Sequence, residues 1–358
     1  MPPVDIRPLT SLRIFAAFWV VLFHYWPKLD ISFVPQFVAK GYLGVELFFV
    51  LSGFILSHVY LEASGNGYLN YRSFMIARFA RVYPLHLATL IGVGALAIGA
   101  GLAGFQIDKA ILSWESLPAN LLMVHAWGFA PEAGWNHPSW SISAEWFAYL
   151  AFPLFAAVAW PLRHRPYVAI AGAIVLLAAT YFVFQRLMGF PLTLATIQWG
   201  ALRIVPPFAL GCALYLAYQK GAFSSLLSSL IGVAVAGLVI VFASSYMMPD
   251  ALIVVAGGLL ILSLAGLGRF PGGVMSSAPM VWLGEVSYAV YMVCVPWKLL
   301  YFNAMTKFLK LPGEALPLIW WIPGLLMVIP IAAVGHHLIE KPCRFAIRQW
   351  SESLEKGK

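Results

Sequence analysis

Two ionisable side chains interrupt the first apolar stretch of the chain, Arg13 and His24 in LTSLRIFAAFWVVLFHYW. On a helix eleven residues make close to three turns, so the pair shares a face, separated by roughly 16 Å along the axis. Ionisable groups within membrane spans are costly, which makes each a functional hypothesis. An imidazole can act as a base near neutral pH, and a neighbouring carboxylate can fix its tautomer. Taken separately, the two residues are a snorkelling arginine and an interfacial histidine, a reading of equal weight on these residues alone.

Three other segments carry chemistry. Glu46 stands near the start of GYLGVELFFVLSGFIL, where it either sits at the membrane interface or faces His24 and orients its ring. Ser52 and Gly53 add a small polar spot farther along. In YRSFMIARFARVYPLHL, Arg78 and Arg81 are three apart, hence on one face at a helix start. Guanidinium forks suit phosphate, and a helix N-terminus adds free amides and a favourable dipole. Alone, that pair is ordinary positive-inside anchoring. NHPSWSISAEWFAYLAFP places Ser141 and Glu145 one turn apart, flanked by Trp140 and Trp146. The tryptophans read as boundary anchors. Glu145, one turn inside, either holds a sugar hydroxyl or orients the histidine.

Membrane helices must position these groups. Of 358 residues, 61% are hydrophobic and 10% charged, against roughly 25% charged in a soluble domain. The expected fold is all-α, a polytopic membrane protein with about ten transmembrane helices in one bundle. A span needs about 20 apolar residues. That length places spans at 9–27, 41–61, 80–104, 142–161, 167–187, 198–219, 226–246, 250–268, 282–304 and 315–338. Segment 109–129 holds Trp114, Glu115, Pro118, Asn120 and His125 and is assigned to a large loop. Residues 1–345 are read as one transmembrane domain and 346–358 as a short cytoplasmic tail. Pro206-Pro207 predicts a break in the sixth helix, and nearby Arg203 a wet cavity beside it.

The net charge is +8, from 22 Lys+Arg and 14 Asp+Glu. Arg72, Arg78, Arg81, Arg163, Arg165, Lys220 and Arg269 fall in loops on one side, the side of the basic C-terminal segment. The positive-inside rule then places both termini in the cytoplasm, and no nucleic-acid partner is needed to explain the charge. Cys212, Cys294 and Cys343 are too few for a disulfide framework. Arg13 interrupts the N-terminal run and no small-residue cleavage pattern follows, so that run reads as a retained helix.

The ordered set of segments resembles the acyltransferase 3 family of membrane acyltransferases. It matches in the Arg13-x10-His24 pair, GYLGVELFFVLSGFIL, FMIARFARVYPLH and WSISAEWFAYLAFP. LGEVSYAVYM (Gly284, Ser287, Tyr288, Tyr291) and IEKPCR (Glu340, Pro342, Arg344) are also similar, so the likeness runs from residue 8 to about 344. The resemblance implies acyl transfer, most often of acetyl, from a coenzyme A thioester to a hydroxyl of a bacterial cell-surface or exported glycan or lipid-linked saccharide. It implies acetyl-CoA as donor substrate, no metal, and a ten-helix core in the bacterial cytoplasmic membrane. Some members append a periplasmic hydrolase-like domain; with about twenty residues after the last span, none is expected here. Many relatives have His where this chain has Cys294.

Under that resemblance His24 is the general base, with Glu46 or Glu145 orienting it. Arg78 and Arg81 hold the coenzyme A phosphates, and Arg13 guides the pantetheine arm or binds phosphate. Tyr83, Ser141 and Ser143 hydrogen-bond the thioester or acceptor, and Trp140 and Arg203 line the acceptor side. A succinyl donor or a small-molecule or lipid acceptor fits the same residues. Neither G-x-S-x-G nor HExxH is present, which argues against serine-hydrolase and zinc chemistry. The rival class, a transporter or flippase, calls for inverted repeats and paired broken helices. The sequence offers a single break and no repeat.

Overall fold

The computed structural model describes residues 5–102, 104 and 109–356. In chain order the helices are α1 (Arg7–Tyr25), α2 (Gln36–Ala39), α3 (Gly44–Gly65), α4 (Tyr71–Leu102) and α5 (Leu117–Leu121). There follow α6 (Trp140–Leu150), α7 (Phe152–Ala159), α8 (Pro166–Met188), α9 (Gly200–Gln219) and α10 (Leu226–Ser245). The last are α11 (Asp250–Leu267), α12 (Ala278–Phe308), α13 (Leu318–Leu326), α14 (Val328–Gly335) and α15 (Lys341–Lys356). No strand occurs among the described residues, only an isolated bridge between Leu29 and Leu316.

Nine helical stretches among the described residues are long and apolar enough to cross a membrane, ten if one bent pair counts as a span. The protein is an all-helical, polytopic membrane protein, and each of the ten expected spans corresponds to one of these stretches. Span 142–161 is the bent pair: the helical stretches His137–Leu150 and Phe152–His164 meet at 57°. Pro153 lies directly after the break, where it has no N–H for the ladder. Segment 109–129 forms short helical turns around α5, none of spanning length.

One expectation fails. Despite Pro206 and Pro207, α9 runs unbroken from Gly200 to Gln219. Two prolines remove two backbone bonds, and α9 is the most enclosed of the spans, with 78% of its apolar window buried. Packing on several sides holds the rod where hydrogen bonding is lost. By contrast α8 and α10 are 22% and 28% buried. Their exposed Val175, Leu187 and Leu238 suit a lipid surface.

Small residues set the central contacts. α3 and α9 approach until Gly53 lies on the Phe208 carbonyl and Gly211 on the Val50 carbonyl, leaving no room for a Cβ at either. α1 is strapped at one end to the turn preceding α12 and at the other to α12 itself. Ser11 Oγ donates to Met275 O at 2.7 Å, and Tyr25 Oη donates to Cys294 O at 2.7 Å. The segment before α6 packs on α4 and α6: Trp127 Nε1 donates to Ser143 O at 2.8 Å, and the His86 and His125 rings stack at 5.9 Å. Burial pushes His125, outside the spans, down to about 3.

Candidate active site

A cavity of about 290 Å³ opens at the end of the bundle where α1 begins and α15 lies. Five arginines line it: Arg13 from α1, Arg78 and Arg81 from α4, and Arg344 and Arg348 from α15. Two carboxylates, Asp5 and Glu145, share the lining. An excess of guanidinium groups in one concave site suits a polyanion such as a phosphate ester.

Helical spacing explains who is present. Ser141, Glu145 and Tyr149 are successive turns of one α6 face, and all three line the cavity. Ser52 Oγ donates to Glu145 Oε1, and Ser141 Oγ donates to Tyr291 Oη at 2.8 Å. Tyr288 Oη donates to Val82 O at 2.7 Å, fastening α12 to α4 just beneath the arginines. Arg78 lies 5.5 Å from the Tyr60 ring centre and 5.9 Å from that of Tyr149. Its Nη2 donates weakly to Tyr60 Oη at 3.4 Å, while its Nε is buried without a partner. Aromatic faces thus hold the guanidinium while leaving donor capacity for an anion.

Below the arginines the last span changes to a π-helical turn, His336–Glu340. There His336 Nδ1 lies 2.9 Å from Glu340 Oε2, and Arg344 Nη1 lies 3.9 Å from Glu340 Oε1. Glu340 is also an electrostatic neighbour of Arg13. This carboxylate therefore counters part of the arginine charge from outside the cavity.

Of the expected site residues, Arg13, Arg78, Arg81, Ser141 and Glu145 come together here. His24 does not line the cavity. It lies three turns along α1 from Arg13, edge-on to Phe23 at 5.3 Å, with Lys298 and His137 as its titratable neighbours.

Neither carboxylate orients His24, contrary to expectation. Glu145 is engaged by Ser52, and Glu46 Oε1 accepts from Arg203 Nε at 2.5 Å. The cause is helical phase. Gly44 packs on the α1 backbone at Ala16, and Glu46, about 200° away around α3, projects toward α9. Gly53, two turns on, shares that α9-facing side.

The same reasoning removes Tyr83, Trp140, Ser143 and Arg203 from the cavity. Tyr83, two residues after Arg81, turns to stack on Phe79 at 4.4 Å. Ser143, two after Ser141, turns to the preceding loop, where its Oγ accepts from Ala126 N at 3.0 Å. Arg203 is buried, donating to Glu46 and to Ala195 O at 2.8 Å, with its guanidinium 4.5 Å from the Trp140 ring centre. These two residues brace α9 against α3 and α6.

Sequence reasoning assigned no role to Ser52, Tyr149, Tyr288, Tyr291, Arg344 or Arg348. The i, i+4 spacing of Arg344 and Arg348, and of Glu145 and Tyr149, was the available signal.

A family model described as an acyltransferase domain matches residues 8–337. Acyltransferase MdmB of Streptomyces mycarofaciens is 31% identical over 331 residues, covering 82% of this chain and 79% of the relative. The peptidoglycan O-acetyltransferase OatA of Listeria monocytogenes is 22% identical over 369 residues, covering 95% of this chain and 56% of the relative. Protein 2 in the picA locus of Rhizobium radiobacter is 38% identical over 89 residues, 25% of this chain and 44% of the relative. The chain thus spans about half the length of several curated relatives. No solved structure matches it.

Proposed function

This chain belongs to the acyltransferase 3 family, and we propose that it transfers an acyl group from a coenzyme A thioester to a hydroxyl of a cell-surface or exported glycan. The observation that carries this reading is the convergence of five arginines on one cavity. Its chemistry fits the phosphates of coenzyme A, with Arg13 on the same face of α1 as His24.

The donor nucleotide sits at the arginine mouth, and the pantetheine arm runs along α1 toward His24. There the imidazole takes the proton of the acceptor hydroxyl, and the oxygen attacks the thioester carbon. The C–O bond forms, the C–S bond breaks, and the imidazolium returns its proton to the departing thiolate. The arginine end is cytoplasmic, where acyl thioesters are made, and both termini share that side of the bacterial cytoplasmic membrane. Acetyl is the acyl group of first choice, given relatives named as O-acetyltransferases.

Glu46 and Arg203 act through packing in this scheme, whereas Glu145 and Ser141 contact the thiol arm. The test is transfer of radiolabelled acetyl from acetyl-CoA to a panel of bacterial glycans by protein in nanodiscs. Label should move with the wild type and not with His24→Ala. Near-normal transfer by that variant sinks the base assignment. Failure of the wild type to bind coenzyme A at all sinks the donor assignment.

A further inference from the structure

The end of α1 away from the arginine cavity carries a second, smaller set of charges. Tyr25 Oη is bonded to Cys294 O at 2.7 Å, and Lys298 follows Cys294 by one turn of α12. Asn136 Nδ2 donates to Met292 O at 3.0 Å, which brings the segment His137–Ser139 against the same stretch of α12. His24, His137 and Lys298 are therefore electrostatic neighbours, each partly exposed.

Counter-charge is short here: Glu314 acts on both Lys298 and Lys28 but is ion-paired with Lys28 alone. Lys28, close by on the chain after α1, is paired with Glu314, which it holds below the usual carboxylate range. On the α3 side Glu46 is taken by Arg203, and the Tyr42 hydroxyl donates to Asp250 at 3.0 Å. Lys298 has no carboxylate within ion-pair distance among the described residues. A half-buried ammonium without an anion is costly, and a bound anion offsets that cost. Asn136 adds a second sign of a ligand: it is 1% exposed and its Oδ1 has no partner, an acceptor that a sugar hydroxyl would satisfy.

We propose that His24, His137 and Lys298 form a subsite for an anionic group of the substrate, bound beside the reacting centre. The proposal deepens the function above and rests on transfer taking place at His24. The group is a carboxylate or phosphate. It comes either from the acyl donor, as the free carboxylate of a dicarboxylic acyl group such as succinyl, or from the acceptor, as a uronate or sugar phosphate. Asn136 takes a neighbouring hydroxyl.

The experiment compares acetyl-CoA with succinyl-CoA, and neutral with uronate-containing oligosaccharides, using protein in nanodiscs. Variants are Lys298→Met, Lys298→Arg and His24→Ala. A charge-assisted hydrogen bond corresponds to roughly tenfold or more in kcat/KM. The wild type should prefer one anionic arm by that factor, and the preferred arm identifies the source. Lys298→Met should bring the preference to about one through KM, and Lys298→Arg should restore it. Equilibrium binding of free succinate and galacturonate to wild type and Lys298→Met gives the same comparison without turnover. Equal use of charged and neutral partners by the wild type, with equal binding in both forms, overturns the subsite. So does a Lys298→Met loss that falls alike on every pair. Transfer persisting in His24→Ala would instead overturn the base reading beneath it.

Discussion

Arg203 Nε donates to Glu46 Oε1 at 2.5 Å with both side chains almost wholly buried, at 2% and 1% exposure. The pair joins the two central helices, α3 and α9, and Trp140 of α6 covers the guanidinium. Removing one partner strands the other's charge in the interior, a loss of about 3–5 kcal/mol, whereas replacing both by apolar residues costs far less. Glu46→Ala should therefore lower the thermal unfolding midpoint in detergent sharply. The double variant Glu46→Leu/Arg203→Met should lie closer to the wild type than either single one. If Glu46→Ala unfolds like the wild type yet transfers nothing, Glu46 acts on substrate and not on packing.

The ten spans were legible because each carries its own apolar length, a local property. So were the cavity pairs Arg78 with Arg81 and Ser141 with Glu145, because spacings of three and four fix which residues share a face. What local spacing cannot say is which neighbour a face meets. The sequence leaves Glu46 either at the interface or facing His24, and spacing along one helix does not choose between them. The small residues that decide the matter, Gly44 toward α1 and Gly53 toward α9, were in view, but their contacts depend on packing across distant parts of the chain. The basic C-terminal segment carries only a topology signal in the sequence, and the return of α15 beside α4 is what makes Arg344 and Arg348 cavity walls.

The arginine wall predicts a graded loss of donor affinity. Arg78→Ala and Arg344→Ala should each weaken coenzyme A binding roughly tenfold, the scale of one charge-assisted contact. Tyr83→Phe should change it by less than about twofold, since Tyr83 stacks on Phe79 and does not line the cavity, and the lost group is worth a neutral bond at most. Titration of coenzyme A by calorimetry on nanodisc protein reads all three. Unchanged affinity in both arginine variants would remove the phosphates from this cavity.

Glycine substitutions test the helix contacts separately from chemistry. A Cβ at Gly211 meets the Val50 carbonyl and lies 2.7 Å from the Phe54 amide, both rigid backbone, so α3 and α9 must part. Gly211→Ala should destabilise by about 1–3 kcal/mol, the usual scale of overpacking. Gly237 meets nothing within 4 Å, and Gly237→Ala should instead stabilise slightly, by up to about 1 kcal/mol, through better helix propensity. Thermal midpoints that move the same way for both would contradict the close approach.

His125 makes the loop before α6 sensitive to acid. Burial, reinforced by His86 and His137 nearby, pushes the imidazole from 6.5 down to about 3, while Ser139 Oγ lies 3.1 Å from its Nε2. Between those two values the unfolded chain binds a proton that the folded chain refuses. Folding stability therefore falls as pH drops from 6.5 toward 3, by up to about 1.4 kcal/mol per unit from this group. His125→Gln keeps a polar group for Ser139 but does not titrate. Unfolding midpoints measured from pH 7.5 to 4.5 should fall more steeply for the wild type than for His125→Gln, with the curves diverging below about 6.5. Parallel curves would mean that His125 is hydrated or charged in the folded protein, and the loop would then owe its acid response to other groups.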